Sequence, residues 1–207
     1  MSNISVGQVG EIYAEGLRYF MGQGILNKTL ERLSSDLKEH GIDYAVIGAV
    51  ALLAHGYPRF TEDIDLVMTS AGLQKFHDEL IGLGYAAAFP GAKKRLKSTV
   101  DGVTIEVMTT GEYPGDGKPK PVSMPEPITA STEIDGIRFV TLEKLIELKL
   151  ASGMSATDRL KDLADVQELI KLRKLNADFA SRLDPYVRDK YRELEEAVSN
   201  STSIQEK

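Results

Sequence analysis

Apolar and polar positions divide the chain into short strands and amphipathic helices. In residues 25–39, ILNKTLERLSSDLKE, the residues Ile25, Leu30, Leu33 and Leu37 recur at near-helical spacing, and Gly41 follows as a stop. Tyr44 to Ile47 is a continuous apolar run rich in β-branched residues, which predicts a buried strand. Val50 to Ala54 predicts a short helix whose small residues allow tight packing on a sheet, ended by Gly56, Tyr57 and Pro58. Residues 63–68, DIDLVM, alternate acid and apolar before becoming fully apolar, so Asp63 and Asp65 fall on one strand face and Ile64 and Leu66 on the other.

The pattern continues with a helix from Ala71 to Leu83, capped by Ser70 and closed by Gly84, with Leu73, Phe76, Leu80 and Leu83 as its buried stripe. Asp101-Gly102 predicts a hairpin turn before the strand 103–108, and Asp135-Gly136 a second hairpin within 128–140. Between them, residues 109–127 are dense in Gly and Pro. That loop is too long for a plain connector and suits a position over a site. From Thr141 the texture turns helical. Helices are predicted over 141–153, over 159–172 with Leu160, Leu163, Val166, Leu169 and Ile170 inward, and over 184–197. The polar residues 198–207 read as a disordered tail. Before residue 25, Val9, Ile12, Tyr13, Leu17, Tyr19 and Phe20 suggest one amphipathic helix interrupted by glycines. The chain thus divides into an N-terminal helical segment (1–40), an α/β core (41–140) and a C-terminal helical region (141–197).

Composition narrows the chemistry. The 207 residues carry no cysteine, which removes disulfides, thiolate metal sites and a cysteine nucleophile. His40, His55 and His77 lack metal-ligand spacing. A net charge of −6 argues against a protein that coats nucleic acid indiscriminately, but leaves room for local basic patches such as Lys93, Lys94, Arg95 and Lys97. No apolar stretch is long enough for a membrane span, and no signal-peptide pattern opens the chain, so a cytoplasmic location is expected.

Asp63 and Asp65 are the unusual pair. On a strand their Cα atoms lie roughly 7 Å apart on one face. Carboxylates so placed repel unless a cation lies between them, and hard oxygen donors suit Mg²⁺ or Mn²⁺. Taken alone, the pair is equally compatible with an exposed edge strand.

The order of strand, Gly48-Ala49, short helix and then Asp63-Ile64-Asp65-Leu66 resembles the polymerase-β-like nucleotidyltransferase superfamily. Within it, AHGYPRFTEDIDL is most similar to the AbiEii/AbiGii toxin-like branch. Ala49 departs from the usual Gly or Ser and offers no hydroxyl to a phosphate. The resemblance covers residues 40–172. It implies an α/β (α+β) nucleotidyltransferase fold with a small, mixed, mostly antiparallel sheet, flanking helices and a helical region closing one side of a cleft. It implies metal-dependent transfer of an NMP from an NTP, with pyrophosphate released, to tRNA or a protein, and an antitoxin as a cognate partner.

The site residues implied are Asp63, Asp65 and Glu106 as metal ligands and catalytic groups, joined by Lys149. Gly48, Ala49, Arg59, Thr61 and Asp162 are implied on the nucleotide, with Asp165 a further candidate. Lys118 and Lys120 read as solubilising charges ahead of phosphate contacts. Two other functions stay open at this point: transfer to a small molecule of antibiotic type, and a non-catalytic nucleotide-binding module.

Overall fold

The computed structural model describes residues 14, 16, 18, 19 and 22–205. The helix expected over residues 1–24 therefore lies mostly outside the described residues, although all four isolated positions are helical. Helix α1 (Ile25–Glu39) leads into β1 (Tyr44–Val46), α2 (Gly48–Ala54), β2 (Asp63–Met68) and α3 (Ser70–Glu79). Strands β3 (Tyr85–Ala87), β4 (Arg95–Ser98), β5 (Thr104–Thr109), β6 (Ser131–Ile134) and β7 (Ile137–Val140) follow. Helices α4 (Leu142–Ser155), α5 (Leu160–Arg173) and α6 (Pro185–Gln205) complete the chain.

The strands form one sheet in the order β3-β4-β5-β2-β1-β7-β6. Only β2–β5 and β1–β7 pair in parallel; the other neighbours are antiparallel. The arrangement is thus the mixed, mostly antiparallel α/β sheet with flanking helices that was expected. The hairpin turns fall where the sequence puts them. Asp135 and Gly136 both have positive φ, 51° and 80°, as a tight two-residue hairpin requires. At the other turn, Asp101 Oδ1 accepts from the Val103 amide at 3.3 Å.

Ile64, Leu66, Leu96 and Ile105 are fully buried on one sheet face. Helix α1 is tied to that side by Arg32, whose guanidinium donates to Ser98 at 2.8 Å and pairs with Asp101 at 2.9 Å. The opposite face of β2 and β5 carries Asp63, Asp65, Thr104 and Glu106, with Val67 and Met108 beyond them, and α2 packs against β2. Among the described residues, one hydrophobic cluster runs from Tyr19 to Val198 and unites the core strands with the C-terminal helices.

Several local expectations change. The cap of α3 is Thr69, whose hydroxyl accepts from the Gly72 amide at 2.9 Å, and Ser70 is already helical. That helix ends at Glu79, because Gly82 and Gly84 take positive φ, and Leu83 is left exposed. Ile25 and Leu160 are exposed rather than inward, since each sits in the first turn of its helix, beyond the packed surface. The tail predicted from residue 198 is instead helical as far as Gln205; Leu194 and Val198 of α6 are buried in the core and carry the helix onward.

Candidate active site

The parallel register of β2 with β5 aligns Asp63 with Thr104 and Asp65 with Glu106. Registered residues of neighbouring strands project to the same side, so the three acids share one face. Strand β4 extends the row: Arg95 is registered with Glu106 and Lys97 with Thr104. Acids thus occupy the middle of this face, and cations flank them on β4. Arg95 Nε lies 3.3 Å from Glu106 Oε1, and the Thr61 hydroxyl donates to Asp63.

The turn from β1 into α2 presses against these acids. The Ile47 amide donates to the Asp65 carbonyl at 2.9 Å. Gly48 has φ +66°, and a Cβ built there would fall within the Asp65 side chain, 2.8 Å from Cγ and 2.9 Å from Cβ. Glycine is required by both the backbone conformation and the close approach. Ala49, buried and in the next helical position, brings no such conflict.

The helical region supplies the opposite wall. Lys149 on α4 is buried, and its Nζ donates to Asp162 Oδ1 at 3.0 Å and Asp165 Oδ2 at 2.7 Å, both on α5. Arg59, from the segment between α2 and β2, reaches Asp165 Oδ2 through Nη1 at 2.6 Å. Ser152 donates to Asp162 Oδ2 at 2.6 Å. Lys149 is therefore a buried cation and not a surface charge at a helix end.

Between the two walls lies a cleft of about 760 Å³. Gly48, Ala49, Arg59, Thr61, Asp63, Asp65, Glu106, Lys149 and Asp162 all line it. The long loop forms another side through Tyr113, Pro114 and Gly115. Gly115 has φ +74°, and a Cβ there would come within 2.8 Å of the Ser152 carbonyl, so the loop is packed directly on α4. Lys120 is a strut within this loop, its Nζ donating to the Pro114 carbonyl and Asp116 at 2.6 Å each. Lys118 is exposed.

The electrostatics match the geometry. Burial pushes the Asp65 carboxyl up to about 7, helped by repulsion from Asp63 and Glu106, while Lys149 and Arg59 act in the opposite direction. Among the described residues, no three acidic or histidine side chains converge on one point as a ready cage for an ion. Asp63 is turned to Thr61 and Glu106 to Arg95. The donor chemistry still fits a hard divalent cation, with carboxylate oxygens on adjacent strands and a buried acid destabilised by its like-charged neighbours.

Ser152 is one of the cleft residues that the sequence did not point to, as are the charged Asp158, Arg159 and Lys161. The only signal for Ser152 is its place one helical turn beyond Lys149, the same i, i+3 relation that links Asp162 to Asp165.

The family described as "Nucleotidyl transferase AbiEii toxin, Type IV TA system" matches residues 30–206. The chain belongs to this family and is a nucleotidyltransferase. Among curated proteins, none matches its sequence. Among solved structures, ANT(2")-Ia in complex with adenylyl-2"-tobramycin is 12% identical, with 84% of this chain and 97% of that chain covered at a TM-score of 0.49. JHP933 from Helicobacter pylori is 17% identical, with 86% and 93% covered at 0.45. An antigenic nucleotidyltransferase-like protein from Paracoccidioides brasiliensis is also 17% identical, with 70% and 75% covered at 0.45. Among the described residues, no helix is long and apolar enough to cross a membrane.

Proposed function

We propose that this nucleotidyltransferase transfers an NMP from an NTP to an RNA acceptor with the help of a divalent cation. The observation that carries the proposal is the joint lining of one cleft by Asp63, Asp65 and Glu106 from the sheet and by Arg59 and Lys149 from the opposite wall. A cleft of about 760 Å³ lies within the usual range for a ligand site, roughly 300–1,000 Å³.

Asp63, Asp65 and Glu106 would hold Mg²⁺ or Mn²⁺, which when bound offsets the negative charge of the triphosphate and of the departing pyrophosphate. Gly48 and Ala49 bring backbone amides to the phosphates, with Gly48 permitting the close approach. Arg59, Lys149 and Thr61 hold and orient the triphosphate, and Asp162 keeps Lys149 directed at it. The acceptor hydroxyl attacks the α-phosphorus, its proton passes to Glu106, and the bond to the β-phosphate oxygen breaks so that pyrophosphate leaves. Family membership supports a cognate antitoxin as the regulatory partner.

RNA is favoured over a protein or a polycationic small molecule by the cations that flank the acid row on the same sheet face. Arg95 and Lys97 on β4 lie beside the acid row, with exposed Lys93 just before them. A phosphodiester chain would be drawn to these cations; a polycation would be repelled by them. The test is transfer from each α-labelled NTP, with Mg²⁺ or Mn²⁺, to total RNA, to protein and to an aminoglycoside. Label in RNA is expected. Replacing Lys93 and Lys97 together by Glu should weaken RNA use and flatten its salt dependence. Label confined to protein or aminoglycoside refutes the acceptor assignment.

A further inference from the structure

Two of the cations that line the cleft, Arg59 and Lys149, have a shared anchor. Asp165 does not line the cleft and is only 3% exposed. Its Oδ2 lies 2.6 Å from Arg59 Nη1 and 2.7 Å from Lys149 Nζ. The three residues come from three places: the segment before β2, helix α4 and helix α5. Lys149 has a second carboxylate, Asp162, at 3.0 Å. Among the described residues, the Arg59 guanidinium makes no hydrogen bond or ion pair other than that with Asp165. One buried oxygen therefore sets where both cations stand relative to the acid row.

We infer that Asp165 is a positioning residue, which holds Arg59 and Lys149 in register for an NTP triphosphate without touching the nucleotide itself. This rests on the proposed function, because it takes the two cations as the triphosphate's ligands. A buried carboxylate between two cations is costly to disturb, since either change leaves an uncompensated charge. An acid serving only to join α4 to α5 would already be satisfied by Lys149. Its hold on Arg59 adds the segment that leads into Asp63. Displacement of a binding group by even an ångström can cost a large factor in productive binding.

The discriminating experiment is a cycle of variants read by NTP affinity, measured calorimetrically with Mg²⁺ for wild type, Asp165→Asn, Arg59→Gln/Lys149→Gln and the triple variant. Thermal melts report folding alongside. If Asp165 acts through the two cations, Asp165→Asn costs about tenfold or more in affinity in the wild-type background, but less than about threefold once both cations are gone. Equal losses in the two backgrounds, or no loss in either, overturn the inference. Asp165→Glu keeps the charge while moving the anchor by one methylene, and serves if Asp165→Asn does not fold. It should lose affinity in the wild-type background alone, and unchanged affinity would count against the inference. Failure of wild type to bind any NTP overturns the proposed function, and this inference with it. Wild-type binding with equal penalties overturns the role of Asp165 alone.

Discussion

Gly48→Ala probes the contact on which the acid row is built. The substitution meets two separate obstacles. The backbone at Gly48 has φ +66°, and holding an L-residue there costs about 1–2 kcal/mol. The new methyl would also lie 2.8 Å from Asp65 Cγ and 2.9 Å from its Cβ, an overlap that only movement of Asp65 or of the α2 turn relieves. Forcing an extra methyl into a packed site costs about 1–3 kcal/mol. Together the two predict about 2–5 kcal/mol, a large part of the roughly 5–15 kcal/mol that holds a typical domain together. In a chain of this size that corresponds to a fall in Tm of about 4–20 °C. Circular dichroism melts measure the fall, and NTP transfer measured well below the lowered Tm should also be reduced, because relief of the overlap moves Asp65. Repeating the substitution in an Asp65→Ala background separates the two obstacles. There the overlap with the carboxylate is gone and only the 2.9 Å approach to Cβ remains, so the penalty should shrink without falling to its backbone share alone. A Gly48→Ala protein with wild-type Tm and wild-type transfer would refute the reasoning.

The remaining predictions concern charge. Asp65 titrates near 3.8 when unfolded but is pushed up to about 7 by burial and by Asp63 and Glu106, so the folded state binds the extra proton between these values. Stability without a divalent ion should therefore fall as pH rises from about 4 to 7. Mg²⁺ or Mn²⁺ should raise Tm at pH 8 and much less at pH 5, and equal shifts at both pH values would argue against the acid row as the ion's site. Asp101 has the opposite sign. Burial would raise its carboxyl, but hydrogen bonds from Thr29, Arg32, Ser98 and the Val103 amide outweigh that and lower it to about 2. Its stabilisation is fully present above pH 3.8 and is lost as pH falls through about 2. Asp101→Asn should cost about 1–3 kcal/mol at pH 7 by urea denaturation, with the difference shrinking towards pH 2; a difference that does not change with pH would contradict this.

Much of the candidate site was legible because its signal is local. The alternation DIDLVM fixes which face Asp63 and Asp65 share, and the hairpin at Asp101-Gly102 delivers Glu106 onto a neighbouring strand. Pairing between distant elements was less accessible. Nothing within α5 tells that Asp165 faces inward to two cations while Leu160, in the same helix, lies exposed; that depends on how α4 and α5 pack. Nor does the loop composition reveal that Lys120 ties the loop to itself, which follows from the folded path around Pro114. The helical continuation to Gln205 was hidden because polar residues follow Val198, whereas burial of Leu194 and Val198 on the core supports the helix up to that point.

The central claim is that the acids on β2 carry NMP transfer. It is tested most directly by comparing label transfer from α-labelled NTP, with Mg²⁺ or Mn²⁺, between the wild-type protein and Asp63→Asn/Asp65→Asn. Label is expected in RNA with the wild-type protein, with a loss of at least about a hundredfold in the variant, the scale on which removal of pre-organised charge stabilisation acts. Undiminished transfer by a folded Asp63→Asn/Asp65→Asn protein would contradict it.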